Sequence, residues 1–223
     1  MVLAAADPLN TLTPAEKTAG WILLFDGKTA AGWKEVTGLP FPTQSWRIED
    51  GCLRALNSGR GYQDIRTEAV FGSLEFQFDW KIEAGGNSGV KYLVQKTDRW
   101  TNAIGLQARA RGLEFQLVDN QSADAAERNK SCGSLYGVIA PSDDAARPPG
   151  EFNHSLLVVR GAHVEHWINC IKVVEFDTAD QAVRKVIADA AGKNAPVAES
   201  FLSLQNHGTA VWFRNLKARQ GSK

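Results

Sequence analysis

Residues 73–83 read SLEFQFDWKIE, and this strict alternation constrains the fold more than any other feature of the chain. Leu74, Phe76, Phe78, Trp80 and Ile82 share one parity, while Glu75, Gln77, Asp79, Lys81 and Glu83 share the other. Successive side chains of a strand point to opposite faces, so the pattern predicts a strand with one face in a core and one in water. The same period returns in GVKYLVQ from 89, GLEFQLVD from 112, NHSLLVVR from 153 and HVEHWIN from 163. It continues in IKVVEF from 171, FLSLQ from 201 and AVWFRNLKA from 210. Turn-forming residues separate these runs, as in EAGGNSG at 83–89, APSDDAARPPG at 140–150 and INC at 168–170. Strands joined this way predict an all-β antiparallel sandwich rather than βαβ units.

One or two helical interruptions are expected. Over 179–191, Ala182, Val183, Val186 and Ile187 fall on one helical face. A shorter turn starts at Thr13-Pro14, with Thr13 as N-cap and Pro14 at the first helical position. No internal repeat and no long polar linker divides the chain, so a single domain over 21–219 is expected, preceded by an N-terminal segment, 1–20. A hydrophobic share of 43% over 223 residues can fill a sizeable core. Lys+Arg and Asp+Glu balance at 25 each, which argues against a general nucleic-acid binder, whose surface would be basic. No apolar run approaches the roughly 20 residues that cross a bilayer. The start, MVLAAADPLN, lacks the basic region and full apolar stretch of a signal peptide and reads as the remnant of a trimmed one. Cys52, Cys132 and Cys170 have no CxxC spacing, which argues against a zinc site or redox motif; they read as buried free thiols.

Several polar residues sit where a ligand-binding face would need them. GGNSGVKY at 85–92 lacks the GK[ST] ending of a phosphate-binding loop and leads into a strand. Either it is a plain β-turn, or Gly86 and Gly89 let the backbone approach a ligand while Asn87 and Ser88 supply hydrogen bonds. Lys91 projects opposite Val90 and Tyr92, towards a ligand or towards solvent. In GLEFQLVDN, Glu114 and Gln116 share the face opposite Leu113, Phe115 and Leu117, about 7 Å apart along the strand. An acid and an amide so placed suit a sugar hydroxyl, and equally a solvated stripe. Asp119 has the other parity and either braces a turn or joins a loop site. Tyr136 can stack on a sugar face or simply pack. His163 and His166 fall on opposite faces of one strand and read as structural. Gln205 lies on a polar strand face and His207 in the turn after it. Trp212 and Arg214 then share one face of the next strand, with Val211, Phe213 and Asn215 on the other. An imidazole near an arginine can move protons near neutral pH.

LLFDGKTAAGWK at 23–34, GNSGVKY at 86–92, GLEFQLVDN at 112–120, SLYGV at 134–138, GEFNHSLLVVRG with HWIN at 150–169, and LSLQNHGTAVWFRNLKA at 202–218 occur in one order. Together they resemble the 3-keto-disaccharide hydrolase family, from about residue 21 to 219. Two departures stand out: Asn206 where the family usually has an acid, and Ser203 where it usually has glycine. The resemblance implies a concanavalin A-like jelly roll of two curved antiparallel sheets with a ligand groove. It also implies export to the bacterial periplasm or medium, and action on glycosides oxidised at C3. A C3 ketone acidifies the C2 proton, so a base and an enolate stabiliser suffice to expel the C1 oxygen. On this reading Glu114 and His207 form the proton-transfer pair, and Lys91 and Arg214 stabilise the enolate. Asn87, Gln116, Gln205, Tyr136 and Asp119 contact the sugar. A divalent cation on Asp119 or Glu114 could replace one cationic side chain, although no metal signature is visible. A glycoside 3-dehydrogenase is the implied upstream partner. The alternative is a non-catalytic, lectin-like carbohydrate-binding domain.

Overall fold

The computed structural model describes residues 8–221, so the apolar start read as a signal remnant lies mostly outside the described residues. In chain order the elements are α1 (Pro14–Thr18), β1 (Ile22–Leu23), β2 (Trp33–Glu35), β3 (Trp46–Glu49), β4 (Cys52–Ala55), β5 (Ile65–Phe71) and β6 (Leu74–Ile82). Then come β7 (Asn87–Asn102), β8 (Gly105–Val118), β9 (Asn153–Arg160), β10 (His163–Ile168), β11 (Ile171–Asp177), α2 (Gln181–Ala191), β12 (Ser200–Leu204) and β13 (Val211–Gln220). One sheet runs β11-β10-β9-β6-β13-β4-β3, with β1 also on β13; the other runs β2-β5-β12-β7-β8. Every strand pairing is antiparallel.

The alternating residues account for the core. Along β6, Leu74, Phe76, Phe78, Trp80 and Ile82 are all buried, and Phe78 meets Phe115 of the other sheet edge-on, ring centres 5.8 Å apart. Burying side chains of this size contributes about 1.5–3 kcal/mol each. Buried tryptophans still need a partner for the indole N–H. Trp80 donates to Ser155 Oγ at 2.9 Å and Trp46 to the Gln63 carbonyl at 2.7 Å. α1 carries the expected Thr13 cap, completed by Glu16 as a capping box. On α2, Val183 is buried and Val186 and Ile187 pack on the core, whereas Ala182 is exposed rather than on that face.

Two irregularities change which way side chains point. In β13 the register slips between Arg214 and Lys217, and Asn215 adopts φ 52°. Asn215 therefore does not share the core face of Val211 and Phe213; its amide donates to Asp79 Oδ2 at 2.6 Å, beside Arg214, and Leu216 takes the buried position. The second slip lies between Tyr92 and Lys96 in the long β7–β8 hairpin, where Leu93 has φ 45°. Opposite it, a Cβ on Gly112 would come within 2.8 Å of the Tyr92 carbonyl and of Val94 Cα. Beyond this point the parity changes. Ala108 and Ala110 become the buried residues, packed with Val36, Val94 and Phe201, and the arm docks along residues 60–64. Cys52 and Cys132 are buried free thiols, burial raising Cys132 to about 12; Cys170 is free but exposed, contrary to expectation.

Candidate active site

The outward face of the five-stranded sheet carries a groove of about 330 Å³. Its floor follows from the pairing of β7 with β8, which sets Lys91 directly opposite Glu114 and Gly89 opposite Gln116. With Tyr92, Leu113 and Phe115 committed to the core, these neighbours must face outward. Lys91 Nζ lies 3.3 Å from Glu114 Oε2 and donates to the Ala110 carbonyl at 3.2 Å, with only 7% of the residue exposed. Gly89 has a different use from the one expected of it. A Cβ there would sit 2.5 Å from Glu114 Oε1, so the missing side chain makes room for the carboxylate rather than for a ligand. Gly86 takes the plain-turn reading, its N–H donating to the Glu83 carbonyl.

Amide side chains surround the ion pair. Asn87 is fixed by its Nδ2, which donates to Asp124 Oδ2 at 2.7 Å, and by its backbone N–H, which donates to Thr209 Oγ1. In one orientation of its amide Gln116 donates to Asn87 Oδ1 at 3.3 Å; turned over, its nitrogen reaches Glu114 Oε1 at 3.3 Å and the Ser88 carbonyl at 3.1 Å, and its oxygen faces Asn87 Oδ1 instead. Gln205 is buried, and its Oε1 has no partner among the described residues although it lines the groove. A buried acceptor left open costs free energy unless something donates to it, so Gln205 is the atom most in want of a ligand hydroxyl. His207 is exposed on the rim, and Tyr136 is exposed beside it, with its backbone N–H on the Glu114 carbonyl.

Three lining residues escaped the sequence reading: Trp100, Arg109 and Arg111, all from the hairpin arm. Alternation continued from Glu114 would turn Arg109 and Arg111 into the core, and the parity change at Gly112 reverses that. The visible signal was QARAR itself, since arginines are seldom buried between alanines without a partner. Arg109 has one. It donates to Asp64 Oδ1 at 2.9 Å, and the fully buried Asp64 also accepts from the backbone N–H groups of Ala110 and Asn206. That carboxylate pegs the arm to the turn bearing His207.

The groove thus gathers Asn87, Lys91, Glu114, Gln116, Tyr136, Gln205 and His207, and leaves out Arg214 and Asp119. Arg214 belongs to the eight-stranded sheet, where its guanidinium lies 3.6 Å over the Phe152 ring and 3.5 Å from Asp79 Oδ2. Burial works to raise the Asp79 carboxyl, but hydrogen bonds from His154 and Asn215 outweigh it and hold the group below its ordinary value. Asp119 accepts from the backbone N–H groups of Gly85 and Gln121 and lines a different depression with Trp80 and Arg147. It braces a turn. Asp119 and Glu114 line different cavities, and Glu114 already faces an ammonium. His163, Glu165 and Glu175 do converge at the end of the other sheet, with Lys172 contacting both glutamates. His166 is a core residue: its Nδ1–H donates to the Gly133 carbonyl and its Nε2 accepts from Tyr92 OH at 2.8 Å.

Comparison with known proteins agrees with this architecture. A 3-keto-disaccharide hydrolase of Bacteroides thetaiotaomicron is 29% identical over 90% of this chain and 78% of its own length. A crystal structure from Parabacteroides distasonis, provisionally named a glycosyl hydrolase, is 28% identical with a TM-score of 0.81, covering 96% of this chain and 100% of that one. A Bacillus subtilis protein with a galectin-like fold, 13% identical with a TM-score of 0.51 over 97% and 96% of the two chains, is alike in fold alone. The galectin-like fold of the last fits the expected concanavalin A-like sandwich. The model of the 3-keto-alpha-glucoside-1,2-lyase-like domain matches residues 20–219, which takes in both sheets and the whole groove, and the chain belongs to that family.

Proposed function

We propose that this chain cleaves 3-keto-glycosides, 3-keto-disaccharides among them, by removing the C2 proton and eliminating the C1 oxygen. One observation carries the reading. Among the described residues lining the groove Glu114 is the single carboxylate, an ammonium stands 3.3 Å from it, and the carboxylates of the adjoining depressions are engaged elsewhere, Asp98 with Arg111, Asp189 with Lys185, Asp124 with Asn87 and Glu127 with Lys130. Ordinary glycosidases set two carboxylates about the scissile bond, whereas the keto route needs one base and a stabiliser for the enolate. The similarity to a named 3-keto-disaccharide hydrolase supports the same choice.

Glu114 takes the C2 proton, and the C–H electron pair passes into an enolate whose C3 oxygen accepts a hydrogen bond from Lys91. Collapse of the enolate forms the C1=C2 double bond and expels the C1 oxygen, which His207 protonates. The products are a 2-hydroxy-enone and a free alcohol. Addition of water at C1, with return of a proton to C2, completes net hydrolysis; release of the enone makes the reaction a lyase. Asn87, Gln116 and Gln205 hold hydroxyls, and Tyr136 covers a ring face. A glycoside 3-dehydrogenase reaction supplies the ketone, and export to the periplasm or medium belongs to the same proposal.

Folded Glu114→Gln, Lys91→Met and His207→Ala proteins, assayed on 3-keto- and unoxidised glucosides, test it. Glu114→Gln is expected to lose about a hundredfold or more in kcat/KM on the keto substrate. Wild-type rates in all three variants, or binding of unoxidised sugar with no cleavage of any substrate, would sink the proposal. Product mass separates enone from 3-keto sugar.

A further inference from the structure

The ion pair sits at the junction of two depressions. A second cavity of about 470 Å³ shares Lys91, Arg111, Glu114 and Tyr136 with the first, and its far wall is α2, through Val186, Asp189 and Ala190. The helix packs against both β7 and β8, so this wall is fixed relative to the floor. The two lobes differ in chemistry. The first is furnished with amides and an imidazole; the second offers Val186 and Ala190, one helical turn apart and half-buried, with Lys96 and Asp98 across from them.

Resting on the function proposed above, we infer that the second lobe is the leaving-group subsite, with α2 as its specificity wall. Glu114 has to reach the C2 proton, and the bond that breaks is one atom away at C1. The bond therefore lies over the shared residues, and the two parts of the substrate extend into different lobes. Ring hydroxyls of the keto sugar need the amides of the first lobe, including the open acceptor of Gln205. The group attached at C1 then runs along α2, where an aliphatic strip suits a leaving group with a flat apolar face, a sugar ring or an aryl aglycone.

The test compares methyl, glucosyl and 4-nitrophenyl 3-keto-glucosides as substrates for wild type and Ala190→Trp, which fills the lobe from the helix side. The ratio of kcat/KM for the bulky substrates to that for the methyl glycoside is expected to fall at least tenfold. A fall confined to the glucosyl substrate identifies a sugar-accepting lobe, and one confined to the aryl substrate an aglycone-accepting lobe. Asp189→Trp, at an exposed helix position, gives the same reading should Ala190→Trp fail to fold. Ratios within twofold of wild type in a folded, active variant overturn the subsite. A wild-type protein that cleaves none of the three substrates overturns the underlying function instead.

Discussion

Asn206 adjoins the imidazole on the groove rim, yet its own side chain is spent inside the protein. It is fully buried; Nδ2 donates to the Ser45 carbonyl at 2.8 Å and the Leu56 carbonyl at 3.2 Å, and Oδ1 accepts from the Gly208 N–H. An aspartate offers no donor in place of the amide nitrogen. Asn206→Asp is therefore expected to lower stability by about 1–3 kcal/mol, read as a shift of the denaturant midpoint, and an unchanged midpoint would contradict this account. The residue that departs from the family pattern is thus tied to the packing of this chain. Lys91, Glu114 and Gln116 were legible because parity turns each away from the core face of its own strand and the family resemblance joined the two strands in one site. Arg214 was not. Its parity was readable, but every strand of a sandwich has an outward face, and alternation carries no information about which sheet a strand joins.

At the scale of elements, β6 through β13 could be read directly from their alternation and α2 from its helical period, whereas the seven-residue β5 was missed because its exposed Ala69 and Val70 break the pattern. β1 to β4 could not, because runs of two to four residues contain too few alternations to separate from chance. The hairpin arm failed for another reason: its period is present, but its phase shifts at Gly112. That arm forms one wall of the groove and meets the body almost backbone to backbone. Gly61 has φ 102°, and a Cβ on it would sit 1.9 Å from the Leu106 carbonyl oxygen. Gly61→Ala is expected to lift the arm from residues 60–64. Hydrogen exchange in β8 ahead of Gly112 should then quicken, and turnover should fall more than tenfold, since Arg109 and Arg111 would lose their places. Protection equal to wild type would show that the contact does not hold the arm.

For the molecule as a whole, His166 joins the two sheets. It stands on β10, but its ring stacks on Phe115 at 4.1 Å and accepts from Tyr92, both in the opposite sheet and directly behind the ion pair. Burial lowers its pKa to about 4 from the ordinary 6.5, the hydrogen bond to the Gly133 carbonyl opposing this only in part. Protonation then favours the unfolded chain. This share of stability is complete above pH 6.5 and is lost as pH falls towards 4, by roughly 3 kcal/mol in full. The carboxyls held below their ordinary values, such as Asp79 and Glu75, release their share at lower pH. Chemical denaturation between pH 7 and 4.5 is expected to show a fall with a one-proton slope, and a flat profile would remove His166 from this role. The order of strands has a further consequence. β13 lies between β6 and β4 and comes last among the described strands, while Asn10 and Asn215 exchange backbone-to-side-chain bonds across 205 residues. During synthesis the middle of the larger sheet is therefore missing until β13 emerges, and the edges of β4 and β6 wait unpaired, so the growing sheet must be kept from its neighbours until that strand arrives.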